Sequence, residues 1–189
     1  MQRRGGLLGQ IARRGQRRLE RLEWRFGGEQ DEHPPLELGA GAGAFSGRVD
    51  RVDAGPGSAA IVRDYKGRTV TGGTKWAEHG QLQVALYLLA VRELLGLDPV
   101  AGLYQPLAGR KLGARGLVRE DVPGSYTRTD VVDGDAFSVA LEAARELAQQ
   151  TAAELHAGRI APCPERCSSR GCRHPAICRA GEPKVVPPA

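Results

Sequence analysis

Long apolar runs are missing from this sequence of 189 residues. No run approaches the roughly 18 residues that a membrane-spanning helix needs, so we expect no membrane partner. The arginine-rich N-terminus lacks the continuous apolar segment of a secretory signal, which favours the cytoplasm. The spacing G-x-x-x-x-G-K-[ST] also does not occur. This absence excludes a Walker-type ATP site in the sequence given.

Lysine is scarce, with 4 residues against 23 arginines, and the formal net charge is +5. Arginine makes bidentate contacts with phosphate, so the bias indicates a nucleic-acid partner. A charge of +5 is modest for this length, however, and composition alone does not decide the matter. With 41% hydrophobic and 26% charged residues, the chain reads as one globular domain.

Hydrophobic spacing predicts three regions. Residues 1–26 read as a basic helix or arm that either touches phosphate or presents a solvated face. Its apolar residues recur at helical spacing, namely Leu8, Ile11, Leu19, Leu22 and Phe26. Residues 27–158 form the predicted core, and residues 159–189 form a cysteine-rich segment.

The core reads as alternating strands and helices. A short strand is expected near Leu36 to Leu38, and the β-favouring runs 45–53 and 59–66 around a Gly/Pro turn predict an antiparallel hairpin. The remaining elements are an apolar helix over 77–96, a strand over 99–106, an irregular stretch over 107–132 with one further strand, and a helix capped by Asp133 that runs to about Gly158. This order predicts an α/β domain with a mixed sheet flanked by helices.

The hairpin carries a candidate catalytic site. Side chains two positions apart on a strand share a face, so Asp64 and Lys66 project together. Hairpin closure can bring Asp50, on the partner strand, close to Asp64. Two carboxylates that face one point repel each other unless a cation joins them, and hard oxygen ligands with open positions suit Mg²⁺ or Mn²⁺. Such a metal activates water and stabilises charge on phosphate, with a lysine assisting.

Two alternatives stand beside this interpretation. Asp64 and Lys66 could form only a surface ion pair, which contributes little to stability. Asp53 competes with Asp50 for the role of first carboxylate, but it lies three positions away and faces the opposite side of a regular strand. Only a bulge would reverse that choice.

The motifs GRVDRVD, IVRDYKG and QVALY together resemble the PD-(D/E)XK nuclease superfamily, in particular its RecB-like and AddB-like branch. The resemblance covers about residues 20–180. It implies that Asp50 and Asp64 bind a catalytic Mg²⁺ or Mn²⁺ and that Lys66 is the catalytic lysine. Gln83 and Tyr87, one helical turn apart, would match the Q-x-x-x-Y pair and contact the DNA backbone.

The same resemblance implies a restriction-endonuclease-like fold and a deoxyribonuclease of DNA repair or recombination. Exonuclease action on DNA ends is commonest in this branch, often alongside a helicase domain or subunit. Two other functions stay open. One is a catalytically incomplete DNA-binding module of a helicase–nuclease complex, and the other is a zinc or iron–sulfur scaffold for protein assembly.

One acid of the family's site has no clear counterpart. The family usually carries a Glu or His on an upstream helix that completes the metal shell, and only Glu20 and Glu23 are available here, with Glu23 as the substitute. The LEWRFGG segment resembles the stretch just before the family's core strands. We therefore expect either that the helix with this acid precedes residue 1 in a longer protein, or that the site is a reduced variant.

All four cysteines lie in the tail, at Cys163, Cys167, Cys172 and Cys178, with three, four and five residues between them. Four thiols this close favour a bound centre, and the loose spacing suits an iron–sulfur cluster better than zinc, which commonly uses C-x-x-C pairs. Zinc and free thiols or a disulfide stay open. The resemblance implies a 4Fe-4S cluster in which Cys163 either replaces a ligand that relatives place before the core or takes no part in binding. His174 is a further candidate ligand.

Overall fold

A mixed sheet of six strands forms the centre of the fold. The structure, a computed structural model, describes residues 18–159 apart from residues 40, 42, 69, 71 and 79. Its strands are β1 (Arg18–Phe26), β2 (Leu36–Glu37), β3 (Ala44–Phe45), β4 (Gly47–Ala54), β5 (Ala59–Lys66), β6 (Asp98–Pro106), β7 (Arg115–Arg119) and β8 (Val131–Val132). The central sheet has the order β1-β4-β5-β6-β7-β8, and β2 pairs with β3 beside it.

The pairing directions make the sheet mixed, as predicted. The pairs β1–β4, β4–β5 and β6–β7 are antiparallel, whereas β5–β6 and β7–β8 are parallel. The predicted hairpin is confirmed, with Val52 opposite Val62 and Arg51 opposite Arg63. Because a parallel pair cannot be joined by a tight turn, the chain between β5 and β6 crosses over through a helix.

Two helices cover one face of the sheet, α1 (Gln83–Leu95) and α2 (Gly134–His156). Every residue from 84 to 91 in α1 is buried, since this helix packs against β5 and β6 on one side and α2 on the other. The α2 helix begins as predicted, because the Asp133 side chain accepts a hydrogen bond from the Ala136 N–H. Only its stripe Phe137, Leu141, Ala144 and Ala148 is buried, which is typical of an outer helix.

The strands of the hairpin and β6 bury residues on both faces. Val62 belongs to the large core cluster under α1, whereas its neighbour Ile61 packs with Val100 and Leu103 on the opposite face. Gly102 lets α1 approach β6 closely, because a Cβ there would lie 2.6 Å from Val84 and 2.7 Å from Leu88. This architecture is the predicted restriction-endonuclease-like arrangement of a mixed sheet flanked by helices.

The helix expected up to Phe26 is wrong for residues 18–26, which form β1 at one edge of the central sheet. Trp24 and Phe26 are buried in the core, whereas Leu19 and Leu22 are exposed. The effective apolar period is therefore two, which places alternate side chains on one face of a strand. The bonds to β4 satisfy the backbone groups that a helix would have satisfied internally.

The helix expected over 77–96 begins six residues later, at Gln83. Gly80 has a φ of +63°, which breaks the helical path, and the Gln81 N–H donates to the Trp76 carbonyl at 2.8 Å. Residues 107–132 hold two further strands, β7 and β8, rather than one. The division of the chain at residues 26 and 158 stays a prediction.

A buried carboxylate joins β7 to the segment before β8. Asp130 is 1% exposed and accepts two hydrogen bonds from Arg115, at 2.7 Å from Nε and 2.9 Å from Nη2. It also accepts a bond from the Gly116 N–H at 3.1 Å. Three donors therefore compensate the desolvation of this charge.

Among the residues described, no helix is long and apolar enough to cross a membrane.

Candidate active site

The end of β5 meets the start of α1, and four predicted site residues lie in contact there. Lys66 Nζ lies 2.7 Å from Asp64 Oδ2 and donates a hydrogen bond of 2.7 Å to Gln83 Oε1. Gln83 Nε2 donates in turn to the Tyr87 hydroxyl at 3.2 Å. A continuous polar chain thus runs from the sheet to the helix. The structure brings Asp64, Lys66, Gln83 and Tyr87 together as the sequence suggested.

Asp50 lies one position beyond the last paired residue of the hairpin, Arg51. Its Oδ2 accepts a hydrogen bond of 2.8 Å from the Tyr65 N–H, which fixes the carboxylate beside β5. The charge of Asp50 also contributes to raising the pKa of Asp64, so the two carboxylates are close enough to interact. The hairpin therefore places both acids at one end of the sheet.

Asp64 is a buried acid, 3% exposed, with an incompletely satisfied carboxylate. Burial raises its pKa most strongly, Lys66 lowers it, and Asp50 raises it further. Oδ2 is within ion-pair distance of Lys66 but receives no hydrogen bond of good geometry. A cation stabilises a buried carboxylate oxygen that lacks a well-directed hydrogen bond and lies near a second carboxylate.

The donor set fits a hard divalent ion. Mg²⁺ is usually held by one or two carboxylates while water and substrate phosphate complete its shell, and Asp50 and Asp64 supply that number. No group of three or more His, Cys, Asp or Glu side chains suited to a metal occurs in the part of the chain that the structure describes. Among the described residues near Lys66, Asp50 and Asp64 are therefore the acids that could hold such an ion.

Glu23 lies opposite Asp50 on β1, between the pairs Leu22–Arg51 and Trp24–Val49. Its φ of +51° is unusual for a residue with a side chain, and strained backbone of this kind clusters at functional sites. The Glu23 carboxylate pairs with Arg48 at 3.1 Å, however, and not with the polar chain of the site. Glu20 lies at the register shift between Leu19 and Arg21.

Tyr104 is a site residue that the sequence reasoning missed. Lys66 Nζ lies 5.2 Å from the centre of its ring, a cation–π distance. Burial raises the pKa of Tyr104 to about 12, with Asp64 contributing, so the phenol stays neutral at pH 7. Tyr104 lies opposite Asp64 in the register of β5 and β6. The sequence alone does not show this pairing, so it could not identify Tyr104 as a site residue.

A cleft of about 690 Å³ opens in front of these residues. Lys66, Gln83, Tyr87 and Tyr104 supply polar groups to its wall, and Phe45 and Leu86 supply apolar surface. The Tyr87 ring is 6% exposed and packs against Phe26 and Phe45, so it is a core residue that also presents its hydroxyl to the site. A concave, mostly apolar site with a few convergent polar groups is typical of ligand binding.

Asp53 serves a structural role apart from this cleft. It is 2% exposed and accepts bonds from Arg51 Nε at 2.7 Å and Arg63 Nε at 3.1 Å. Its carboxylate is therefore fully engaged by two cations of the hairpin. That Asp50, rather than Asp53, joins Asp64 at an ion stays a prediction.

The cysteines Cys163, Cys167, Cys172 and Cys178 lie outside the described residues, as does His174.

Comparison with known proteins adds one finding. A family model described as the PD-(D/E)XK nuclease superfamily matches residues 2–179, which include the hairpin, α1 and the four cysteines. No curated protein matches the chain.

Proposed function

Because the chain belongs to the PD-(D/E)XK nuclease superfamily, we propose that it is a metal-dependent deoxyribonuclease that hydrolyses phosphodiester bonds at Asp50, Asp64 and Lys66. The observation that carries the proposal is the buried Asp64 carboxylate, whose Oδ2 has the Lys66 ammonium 2.7 Å away as its only close partner among the described residues and which lies near Asp50. A carboxylate pair next to a lysine that lines a cleft is the equipment that phosphodiester hydrolysis needs.

The residues divide the work of the reaction. A divalent ion held by Asp50 and Asp64 would lower the pKa of water and offset negative charge on the phosphate oxygens. Lys66 is held between Asp64 and Gln83, so its ammonium is already oriented before substrate arrives. It is placed to orient the attacking water or to neutralise charge that develops on phosphate. Preorganised charge of this kind needs no rearrangement at the moment of reaction.

Gln83 and Tyr87 are proposed to position the DNA strand. Both project from the first turns of α1 into the cleft, and their mutual hydrogen bond fixes the amide and the hydroxyl. Contacts of these groups with phosphate and sugar set the register of a strand without reading its sequence. The neutral Tyr104 ring supports Lys66 from beneath.

The biological setting is proposed from the resemblance to the RecB-like and AddB-like branch. That branch acts mostly on DNA ends in repair and recombination, and a helicase domain or subunit would supply unwound strands. The sequence given holds no P-loop motif, so the motor would be a separate unit.

A second function is favoured by one observation: the described residues hold no group of three metal-binding side chains, whereas the family usually adds a Glu or His from an upstream helix. A DNA-binding module with the same fold but an incomplete metal shell would bind DNA with steep salt dependence and leave it intact.

One assay separates these functions. The purified chain is incubated with end-labelled single-stranded and duplex DNA, linear and circular, in Mg²⁺, Mn²⁺ or EDTA. We expect cleavage of linear DNA that needs either metal, and intact circular DNA if the action starts at ends. Retention of DNA without cleavage would establish the binding module instead. The absence of both DNA binding and DNA cleavage would refute both functions.

The cysteine-rich segment carries a separate proposal, namely that its four cysteines hold a 4Fe-4S cluster. Freshly purified protein should then be brown and absorb at about 400 nm, with iron and sulfide near four atoms each per chain. Cys172→Ala should lose this absorption. Colourless protein that contains zinc would assign the thiols to a zinc site.

A further inference from the structure

The loop that joins β6 to β7, residues 107–114, lies directly beside the catalytic lysine. The Leu107 N–H donates to the Lys66 carbonyl at 2.8 Å, and the Ala108 N–H donates to the Gly67 carbonyl at 2.9 Å. The Gln105 side chain donates to the Leu112 carbonyl at 2.9 Å. The first two bonds hold the start of this loop against the end of β5, next to Lys66 of the cleft wall, and the third ties its far end back to β6.

Unpaired positive charge collects at this loop. Arg110 and Lys111 are exposed, as is Arg68 just after β5, and none of the three forms an ion pair with any described residue. By contrast, most other arginines in the described ranges have acidic partners, for example Arg115 with Asp130 and Arg119 with Asp98. Cations without acidic partners are available to an anion such as a phosphate backbone.

Two leucines of the same loop are left in solvent. Leu107 is 67% exposed and Leu112 is 56% exposed, among the most exposed large apolar side chains described. Leucine side chains can insert between bases and unstack them when basic residues hold the adjoining phosphates. The combination of cations and apolar side chains therefore suits a strand that presents both phosphates and unstacked bases.

The dimensions of the cleft also suit a nucleic-acid strand. A volume of about 690 Å³ falls within the range of about 300–1,000 Å³ that encloses a drug-sized ligand, which is comparable to one or two nucleotides.

We propose that the loop 107–114, together with Arg68, grips an unpaired nucleic-acid strand at the mouth of the cleft, with Arg68, Arg110 and Lys111 on phosphates and Leu107 and Leu112 against bases. This inference rests on the proposed nuclease function and deepens it by naming the substrate class. Single strands, or the frayed ends of duplexes, are the form of DNA that the site accepts.

Binding measured without cleavage tests the proposal. The probes are a fluorescent oligothymidine strand and a closed DNA hairpin, titrated with full-length protein in EDTA at several salt concentrations. Arg110→Gln/Lys111→Gln should lower the slope of log affinity against log salt by about 1.4 for the single strand, since each phosphate contact contributes about 0.7. Leu107→Ala/Leu112→Ala should weaken single-strand binding about fivefold, leave the salt slope unchanged and spare the hairpin.

Matched controls remove the same groups elsewhere. Arg92→Gln/Arg159→Gln deletes two charges, and Val139→Ala/Leu155→Ala shortens two exposed apolar side chains of α2. Arg92 lies about 13 Å along α1 from Gln83 at 1.5 Å per residue. Both controls should bind the strand like the parent protein.

The outcomes distinguish the proposed role of the loop from the proposed nuclease function. Loop variants that bind the single strand like the parent or like their controls would overturn the loop proposal and assign its surface to another partner, such as a protein. Equal weakening for strand and hairpin by the leucine variant would overturn the unpaired-strand specificity. The proposed nuclease function stands or falls by cleavage in Mg²⁺, which is read independently.

Discussion

Asp64→Asn and Lys66→Ala should each lower the rate of metal-dependent DNA cleavage by at least about 10²–10³-fold, the loss typical when a preorganised charge-stabilising group is removed. The first variant removes the charge of a proposed metal ligand. The second variant removes the cation held between Asp64 and Gln83. Asp50→Asn should show a loss of the same order, since it leaves one carboxylate for the ion. The measurement is single-turnover cleavage of an end-labelled strand at saturating protein.

The Asp64→Asn variant should also be more stable than the parent, which excludes misfolding as the cause of its inactivity. The pKa of Asp64 is raised in the folded protein above the ordinary value of 3.8, so folding favours the protonated acid. Its charge therefore opposes folding at neutral pH, and stability falls as pH rises through the folded pKa. Removing that charge should therefore raise the Tm at pH 7, as thermal unfolding followed by circular dichroism would show.

This gain should shrink as the pH approaches 3.8, where the unfolded chain also binds the proton. Asp98→Asn is the matched control, because Asp98 is an exposed acid opposite Ala59, about 17 Å along the strand direction from Asp64. It should cleave DNA like the parent. If Asp64→Asn and Lys66→Ala both cleave DNA with full activity, Asp64 and Lys66 are not active-site residues.

Asp130→Ala should cause the largest loss of stability, about 2–3 kcal/mol, because it leaves the buried Gly116 N–H without an acceptor and the partly exposed Arg115 without its partner. At this chain length such a loss lowers the Tm by roughly 4–12 °C. Thermal and urea unfolding followed by circular dichroism give the free energy of unfolding.

A double variant distinguishes the charge from the packing. Arg115→Met/Asp130→Leu removes both partners and should recover much of the lost stability, since a buried ion pair can be replaced by apolar groups at little cost. If Asp130→Ala alone unfolds within about 1 kcal/mol of the parent, the network does not stabilise the fold as described.

Local signals in the sequence account for what could be predicted. The turn between the runs 45–53 and 59–66 fixes the β4–β5 pairing, and the spacing of Asp64 and Lys66 puts them on one face of a single strand. The Asp133 cap likewise acts within one turn of α2. These relations join residues that are close in sequence, so no knowledge of the tertiary fold was needed.

Features that depend on distant pairing could not be found in this way. The segment 18–26 carries apolar residues at both helical and alternating spacing, and its pairing with β4 decides for the strand. Tyr104 enters the site only because β6 lies parallel to β5. The position of the loop 107–114 beside Lys66 follows from that same parallel pairing.

The helical crossover from β5 to β6 also bears on how this protein can evolve. The hairpin, α1 and β6 follow one another in the chain, and they contain the proposed catalytic residues, the pair Gln83 and Tyr87, and Tyr104. The chemistry is thus encoded in one uninterrupted stretch, while β7, β8 and α2 act as its support. Mutations can accumulate in that supporting half, or new segments can be inserted there, with little disturbance of the reaction geometry.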